Sequence, residues 1–123
     1  MRSRRALILL AVVLLAGCAP SAPETSRGDP VGTWGTVAER SAYLVIDADG
    51  SLGGHDGCNG FGGSWEQSAA EDPIVFADVY MTLMACDFGD QWLTAGRSAL
   101  VDGDRIVVFD EDGEVLGSLP RTA

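Results

Sequence analysis

The sequence contains no lysine, only one histidine (His55) and only three cysteines among its 123 residues. Its eight basic residues are all arginine, they stand against eighteen acidic residues, and the formal net charge is −10. Nucleic-acid binding depends on clustered Lys and Arg side chains that contact phosphates. The composition therefore excludes a general nucleic-acid partner, and it argues against electrostatic adhesion to anionic lipid headgroups.

Long apolar runs are also scarce, since the only one covers the eleven residues 6–16 and follows three arginines. Eleven residues are too few to span about 30 Å of hydrocarbon, so residues 1–17 are predicted to be a signal peptide. The end of this segment, Leu15-Ala16-Gly17-Cys18, resembles the lipobox of bacterial lipoproteins. That resemblance implies acyl chains such as palmitate on Cys18 and a lipid-anchored position on the extracytoplasmic side of the bacterial cell membrane.

Residues 18–30 are rich in Pro and small polar side chains and lack hydrophobic periodicity. Such a composition is typical of a solvated tether. Removal of the signal peptide leaves five Arg against eighteen acidic residues, a net charge of −13. The remaining segment, residues 31–121, is predicted to be the single folded domain.

The domain segment consists of short apolar runs separated by acidic turns that contain glycine, a pattern typical of antiparallel strands. Asp49-Gly50 and Asp112-Gly113 supply the turn chemistry of hairpins. The predicted strands cover residues 31–37, 42–46, 51–55, 61–67, 74–77, 105–110 and 114–119.

One helix is predicted between Asp90 and Leu100. Five residues share a helical face by their spacing of i, i+1, i+4, i+7 and i+8, namely Trp92, Leu93, Gly96, Ala99 and Leu100. The expected fold class is α+β and mainly β: a small antiparallel curled sheet or partly open barrel, with one helix packed on it.

Once Cys18 is lipidated, Cys58 and Cys86 are left, and outside the cytoplasm a disulfide between them is favoured. Two alternatives stay open. His55, Asp56 and the two cysteines have a workable spacing for a metal site, and Cys58 beside His55 is a candidate reactive thiol. Because no second His completes a site, we expect neither a bound metal nor a cofactor.

Two segments resemble the signatures of the META domain, the family of the HslJ heat-shock protein. They are Gly57-Cys58-Asn59-Gly60-Phe61-Gly62-Gly63-Ser64-Trp65 and Met81-Thr82-Leu83-Met84-Ala85-Cys86. Gly32-Thr33-Trp34 and the hairpin 104–119 fall where this family has its entry and final strands. The resemblance covers about residues 31–120. It implies a β-barrel-like sheet with one helix across it, an association with the cell envelope and with stress tolerance, and no established reaction.

The main hypothesis is an envelope-anchored lipoprotein with a non-enzymatic META-like domain that has a binding or stress-tolerance role at the membrane surface. Its partners would be the membrane, through the lipid on Cys18, and an apolar ligand or an envelope protein. Similarity to lipid-binding pilotin lipoproteins suggests a groove between helix and sheet, lined by Met81, Met84, Phe88 and Trp92. The alternative is that these residues belong to the core, which their helical spacing favours because apolar residues so spaced usually face inward. The alternative function is a thiol- or metal-dependent activity that uses His55, Cys58 and Cys86.

Overall fold

The computed structural model describes Gly17 and residues 28–89 and 91–123. Residues 1–16 of the predicted signal peptide, and Cys18 with the tether residues up to 27, lie outside the described residues. Eight strands follow one another: β1 (Gly32–Gly35), β2 (Ala42–Ile46), β3 (Ser51–Asp56), β4 (Gly60–Glu66), β5 (Ile74–Met81), β6 (Ser98–Asp102), β7 (Arg105–Phe109) and β8 (Val115–Pro120). Within the described ranges, no helix has the length and apolar character needed to cross a membrane.

Each strand pairs in antiparallel fashion with the next, so the sheet order is the chain order. The sheet curls until its last residues meet β1, where the Thr33 N–H donates to the Ala123 carbonyl (2.7 Å) and the Thr122 N–H donates to the Thr33 carbonyl (2.8 Å). The result is a nearly closed barrel. It confirms the expected mainly β architecture of a curled antiparallel sheet.

The helix predicted between Asp90 and Leu100 is wrong. The described part of this segment contains only a 3₁₀ turn at Leu93–Ala95, and β6 follows it. Gly96 ends the turn with extended backbone, and a Cβ there would lie 2.7 Å from Val108 Cγ1. Beyond Gly96 every second side chain is buried, because β6 pairs with β7. The spacing of the apolar residues is compatible with both a helix and a strand, and the pairing of β6 with β7 stabilises the strand.

Alternate strand residues on one face of the curled sheet fill the core, and Trp34 has no exposed surface. The Trp34 indole N–H donates to the Pro30 carbonyl (2.9 Å), and the Arg121 guanidinium lies 4.0 Å from a ring centroid of Trp34. These contacts fix the point where the chain enters the barrel. The other large, fully buried side chains are Leu44, Ile46, Ile74, Leu93, Ile106 and Val108.

The strands run between the two ends of the barrel, and different loops and turns lie at each end. The tether end contains the chain entry at residues 28–31, the turns 47–50 and 103–104, the loop 67–73 and residues 121–123. The junction end contains residues 36–41, 57–59, 82–89, 91–97 and 110–114, as the registers Gly35↔Tyr43, Phe61↔Met81 and Ser98↔Phe109 require. Both cysteines of the domain therefore lie at the end opposite to the chain entry.

Candidate functional site

The two cysteines at the junction end form the predicted disulfide. Cys58 and Cys86 are bonded, with their Cα atoms 6.0 Å apart, and Cys58 is buried. In this state neither sulfur is a free thiolate, which metal binding and nucleophilic attack both require. Among the residues that the structure describes, no group of three or more His, Cys, Asp or Glu side chains is arranged to hold a metal ion.

His55 and Asp56 shape the turn that carries Cys58. His55 Nδ1 accepts a hydrogen bond from the Gly57 N–H (3.0 Å). Asp56 is buried, and its Oδ1 accepts the N–H groups of Cys58 (2.8 Å) and Asn59 (2.6 Å). Its other oxygen, Oδ2, accepts the Thr94 hydroxyl (3.0 Å). These contacts brace a loop, and none of them favours the thiol- or metal-dependent alternative.

Asn59 connects this turn to the second signature segment. Its Oδ1 accepts the Met84 N–H (2.6 Å) and the Thr82 hydroxyl (2.9 Å), while its Nδ2 donates to the Met84 carbonyl (3.3 Å). The side-chain amide thus pairs with both backbone groups of Met84, as a neighbouring strand would. We call Asp56, Asn59, Thr82 and Thr94 the polar junction. Sequence reasoning missed it, although Asn59 and Thr82 stand inside the two signatures.

The polar junction holds an exposed segment, residues 82–85, which we call the presented loop. Leu83 is 90% exposed and Met84 is 62% exposed, and Tyr80 just before the loop is 71% exposed. All four loop residues are exposed and form neither a turn nor a helix. The non-glycine residues with positive φ in the described chain all lie elsewhere. The loop therefore projects an apolar side chain into solvent from a segment that belongs to no helix, strand or turn.

The four predicted groove residues have different surroundings. Met81 and Trp92 are partly buried against the core, and Trp92 packs on Gly117, where a Cβ would lie 2.9 Å from the indole Cζ2. Phe88 lies under the Arg40 guanidinium, 4.5 Å from the ring centroid, and Met84 belongs to the presented loop. The described part of residues 90–100 does not contain the helix expected to form one wall of the groove, so ligand binding by these four residues stays a prediction.

An open depression of about 260 Å³ also lies at the junction end. Tyr43 and His55 stack in its wall, with ring centroids 6.2 Å apart. Its lining includes none of the predicted groove residues, and consists of Val37, Ala38, Glu39, Arg40, Tyr43 and His55.

Acidic side chains in the turns act as local hydrogen-bond acceptors. At the tether end, Asp49 Oδ1 accepts the Ser51 hydroxyl (2.6 Å) and the Ser51 N–H (2.9 Å), and these two bonds hold the pKa of Asp49 below its usual value. At the junction end, Asp110 Oδ1 accepts the N–H groups of Asp112 and Glu114. These carboxylates stabilise hairpin turns.

The two segments that the disulfide joins both lie in the part of the chain that matches a known protein family. The family model of the META domain matches residues 24–122, which is most of the chain. Comparison with curated proteins and with solved structures gives no match. Both signature segments lie inside the matched range, and they meet at the junction end through Cys58–Cys86 and Asn59. The chain therefore belongs to the META domain family.

Proposed function

We propose that this protein is a lipoprotein of the bacterial cell membrane, anchored on the extracytoplasmic side through acyl chains on Cys18. Its META domain is a non-enzymatic binding module, and any role in stress tolerance follows from the partner it binds. The observation that carries the binding role is the presented loop. It exposes Leu83 and Met84 while a disulfide and a buried side-chain amide hold its backbone.

Single exposed apolar side chains are common on monomeric proteins and mean little alone. Here, however, Tyr80, Leu83 and Met84 occur within five positions and all are more than half exposed. A covalent bond and a buried Asn fix the backbone between them, so little conformational entropy remains to be lost when a partner binds. Tyr and Met are enriched at protein–protein interfaces, and this segment exposes one of each beside Leu83.

The position of the loop agrees with an anchored binding module. The described domain begins at the tether end, and the presented loop lies at the junction end. A tether with Pro residues extends about 3.1 Å per residue. An anchor on Cys18 would therefore attach the barrel to the membrane through its tether end, while the presented loop lies at the opposite end.

The anchor is tested by intact mass spectrometry of the protein extracted from membranes. We expect loss of residues 1–17, an added lipid mass, and alkylation of Cys58 and Cys86 only after reduction. The matched control is Cys18→Ser, which should keep residues 1–17 and gain no lipid. An unprocessed N-terminus, or processing without lipid, would contradict the anchor.

The binding role is tested separately with a photo-crosslinking amino acid at position 83 in intact cells. Val75, 54% exposed on β5 near the tether end, gives the matched control position. We expect a discrete adduct from position 83 and none from position 75. Equal labelling from both positions, or none from either, would contradict a dedicated binding surface at the junction end.

A further inference from the structure

We propose that the presented loop is a substrate-like inhibitory loop for serine endopeptidases, and that Leu83 enters the apolar S1 pocket of the protease. This inference rests on the proposed binding role, for which it names the partner class. It does not depend on the anchor. The partner is an endopeptidase with a Ser nucleophile and a pocket for a large apolar side chain.

The first argument is accessibility. A protease binds its substrate as an extended segment whose side chain before the cleaved bond fills the S1 pocket. The presented loop supplies four consecutive exposed residues without a turn, and Leu83 is its most exposed side chain, at 90%. Leu suits an apolar slot, whereas the acidic pocket of trypsin-like enzymes selects a basic side chain. Tyr80, beside the loop, adds apolar contact area.

The second argument is that both sides of the Leu83–Met84 bond are held by the same side chain. On one side, the Thr82 hydroxyl donates to Asn59 Oδ1, and the Thr82 N–H donates to the Gly60 carbonyl (3.0 Å). On the other side, both backbone groups of Met84 pair with the Asn59 amide. Cys86 is bonded to Cys58, the neighbour of Asn59. Cleavage would therefore leave the two new chain ends side by side.

The third argument follows from the chemistry of the acyl-enzyme. The protease Ser oxygen adds to the Leu83 carbonyl carbon, and its proton passes through the catalytic His to the Met84 nitrogen as the C–N bond breaks. Normally the freed amine diffuses away, and water hydrolyses the ester. Here the amine stays beside the ester, so it attacks the same carbon, releases the Ser oxygen and restores the peptide bond, while the proton returns to the Ser oxygen. No atom or electron is gained or lost.

This reversal requires an acyl-enzyme. Metalloproteases activate a water molecule that attacks the peptide directly, so they offer a tethered amine no ester to attack. Because the Asn59 side chain and the disulfide already hold the backbone of the free loop, binding also costs little ordering entropy, as in rigid protease–inhibitor complexes. The first consideration excludes metalloproteases as partners, and the second favours inhibition over turnover.

The test uses the detergent-solubilised full chain, titrated against chymotrypsin and trypsin. We expect inhibition of chymotrypsin and none of trypsin. Leu83→Arg should reverse this preference by about 100-fold or more, since the S1 contact determines specificity. Position 83 is on the surface, so the variant should fold. The control Val75→Arg adds the same charge at another exposed apolar position and should leave the wild-type preference unchanged.

A second measurement follows the Leu83–Met84 bond by mass spectrometry during incubation with chymotrypsin. The wild-type loop should persist, and protein isolated in the cleaved form should regain the bond. Asn59→Ala should be cleaved about 10-fold faster or more, because the amine then leaves.

The proposal would be overturned if the wild type inhibits neither protease, or if Leu83→Arg leaves the preference between them unchanged. It would also be overturned if chymotrypsin turns over the wild type as an ordinary substrate. If the crosslink from position 83 persists in that case, the loop binds another class of partner and the proposed function stands. If the crosslink is absent as well, both fail. The anchor does not enter this test, because a missing lipid leaves inhibition unchanged.

Discussion

The two ends of the barrel are both held by contacts between distant parts of the chain, but these contacts stabilise different things. At the tether end, residues 121–123 pair with β1 and cover Trp34, so the contacts close the core. At the junction end, the Cys58–Cys86 bond and the polar junction hold a segment whose side chains are exposed. Bracing of an exposed segment adds little core burial, which is why the junction end is the candidate functional end.

Among changes that test this difference between the two ends, we expect the largest effect from removal of the disulfide, with Cys58→Ser and Cys86→Ser together. The two cysteines are 28 positions apart. The chain-entropy model for a loop of this length predicts a loss of about 3.6 kcal/mol in the free energy of unfolding. Denaturant unfolding measures the loss, and hydrogen exchange locates it. We expect exchange to rise most in residues 82–86.

The matched measurement is the reduced wild-type protein, which should unfold at the same denaturant concentration as the double variant. An unfolding free energy within about 1 kcal/mol of the oxidised protein would show that the bond adds little to the fold. Equal loss of protection at residues 121–123 would show that the two ends do not behave independently.

A smaller effect is expected from Asn59→Ala, which removes three hydrogen bonds to the presented loop. Loss of a buried amide with its partners costs on the order of 1–3 kcal/mol of unfolding free energy. The Met84 amide should also exchange faster, because Oδ1 no longer accepts its hydrogen. Chemical denaturation and amide exchange measure the two effects.

Asn59→Asp is the control for the geometry of this contact. It keeps an oxygen that accepts the Met84 N–H, but it replaces the Nδ2 that donates to the Met84 carbonyl. We expect faster exchange at Met84 than in the wild type and slower exchange than in Asn59→Ala. An unchanged Met84 exchange rate in both variants would refute the role of Asn59 as the brace.

The smallest effect is expected at the tether end, from Ser51→Ala. The Ser51 hydroxyl and then the Ser51 N–H lower the pKa of Asp49 from the usual 3.8, and the variant removes only the hydroxyl. The pKa of Asp49, followed by NMR, should rise part of the way back. Because the folded pKa is lowered, its contribution to stability is present above pH 3.8 and is lost as pH falls through the folded pKa. An unchanged titration would contradict the assignment.

Most of the hairpins were predictable because their signals are local. The strand Ala42–Ile46 has its predicted bounds, and the turns with Asp49-Gly50 and Asp112-Gly113 lie where the sequence indicates them. Alternating apolar residues and Asp-Gly turns act over a few positions, so one sequence suffices to find them. Two Cys residues in a chain predicted to be extracytoplasmic likewise pointed to one disulfide, which the structure contains.

The features that sequence reasoning missed depend on contacts between distant residues. Ala99 is buried because β6 pairs with β7, yet its spacing from Trp92 also fits a helix. The contact of Asp56 with Thr94 spans 38 positions, and that of Asn59 with Met84 spans 25. The periodicity of apolar residues in the sequence does not predict hydrogen bonds between residues so far apart. Exposure of Leu83 follows from those contacts, so it too was inaccessible from composition or spacing.

The closure of the barrel by residues 121–123 also has a consequence for the order of assembly. Successive hairpins form between neighbouring segments, whereas the contact of Thr33 with Ala123 joins the two extremes of the domain. A loop of that length carries the largest closure entropy in the sheet. We therefore expect that, when the domain is synthesised or exported with its amino terminus first, its hairpins form early. Residues 121–123 would pair with β1 beside Trp34 last.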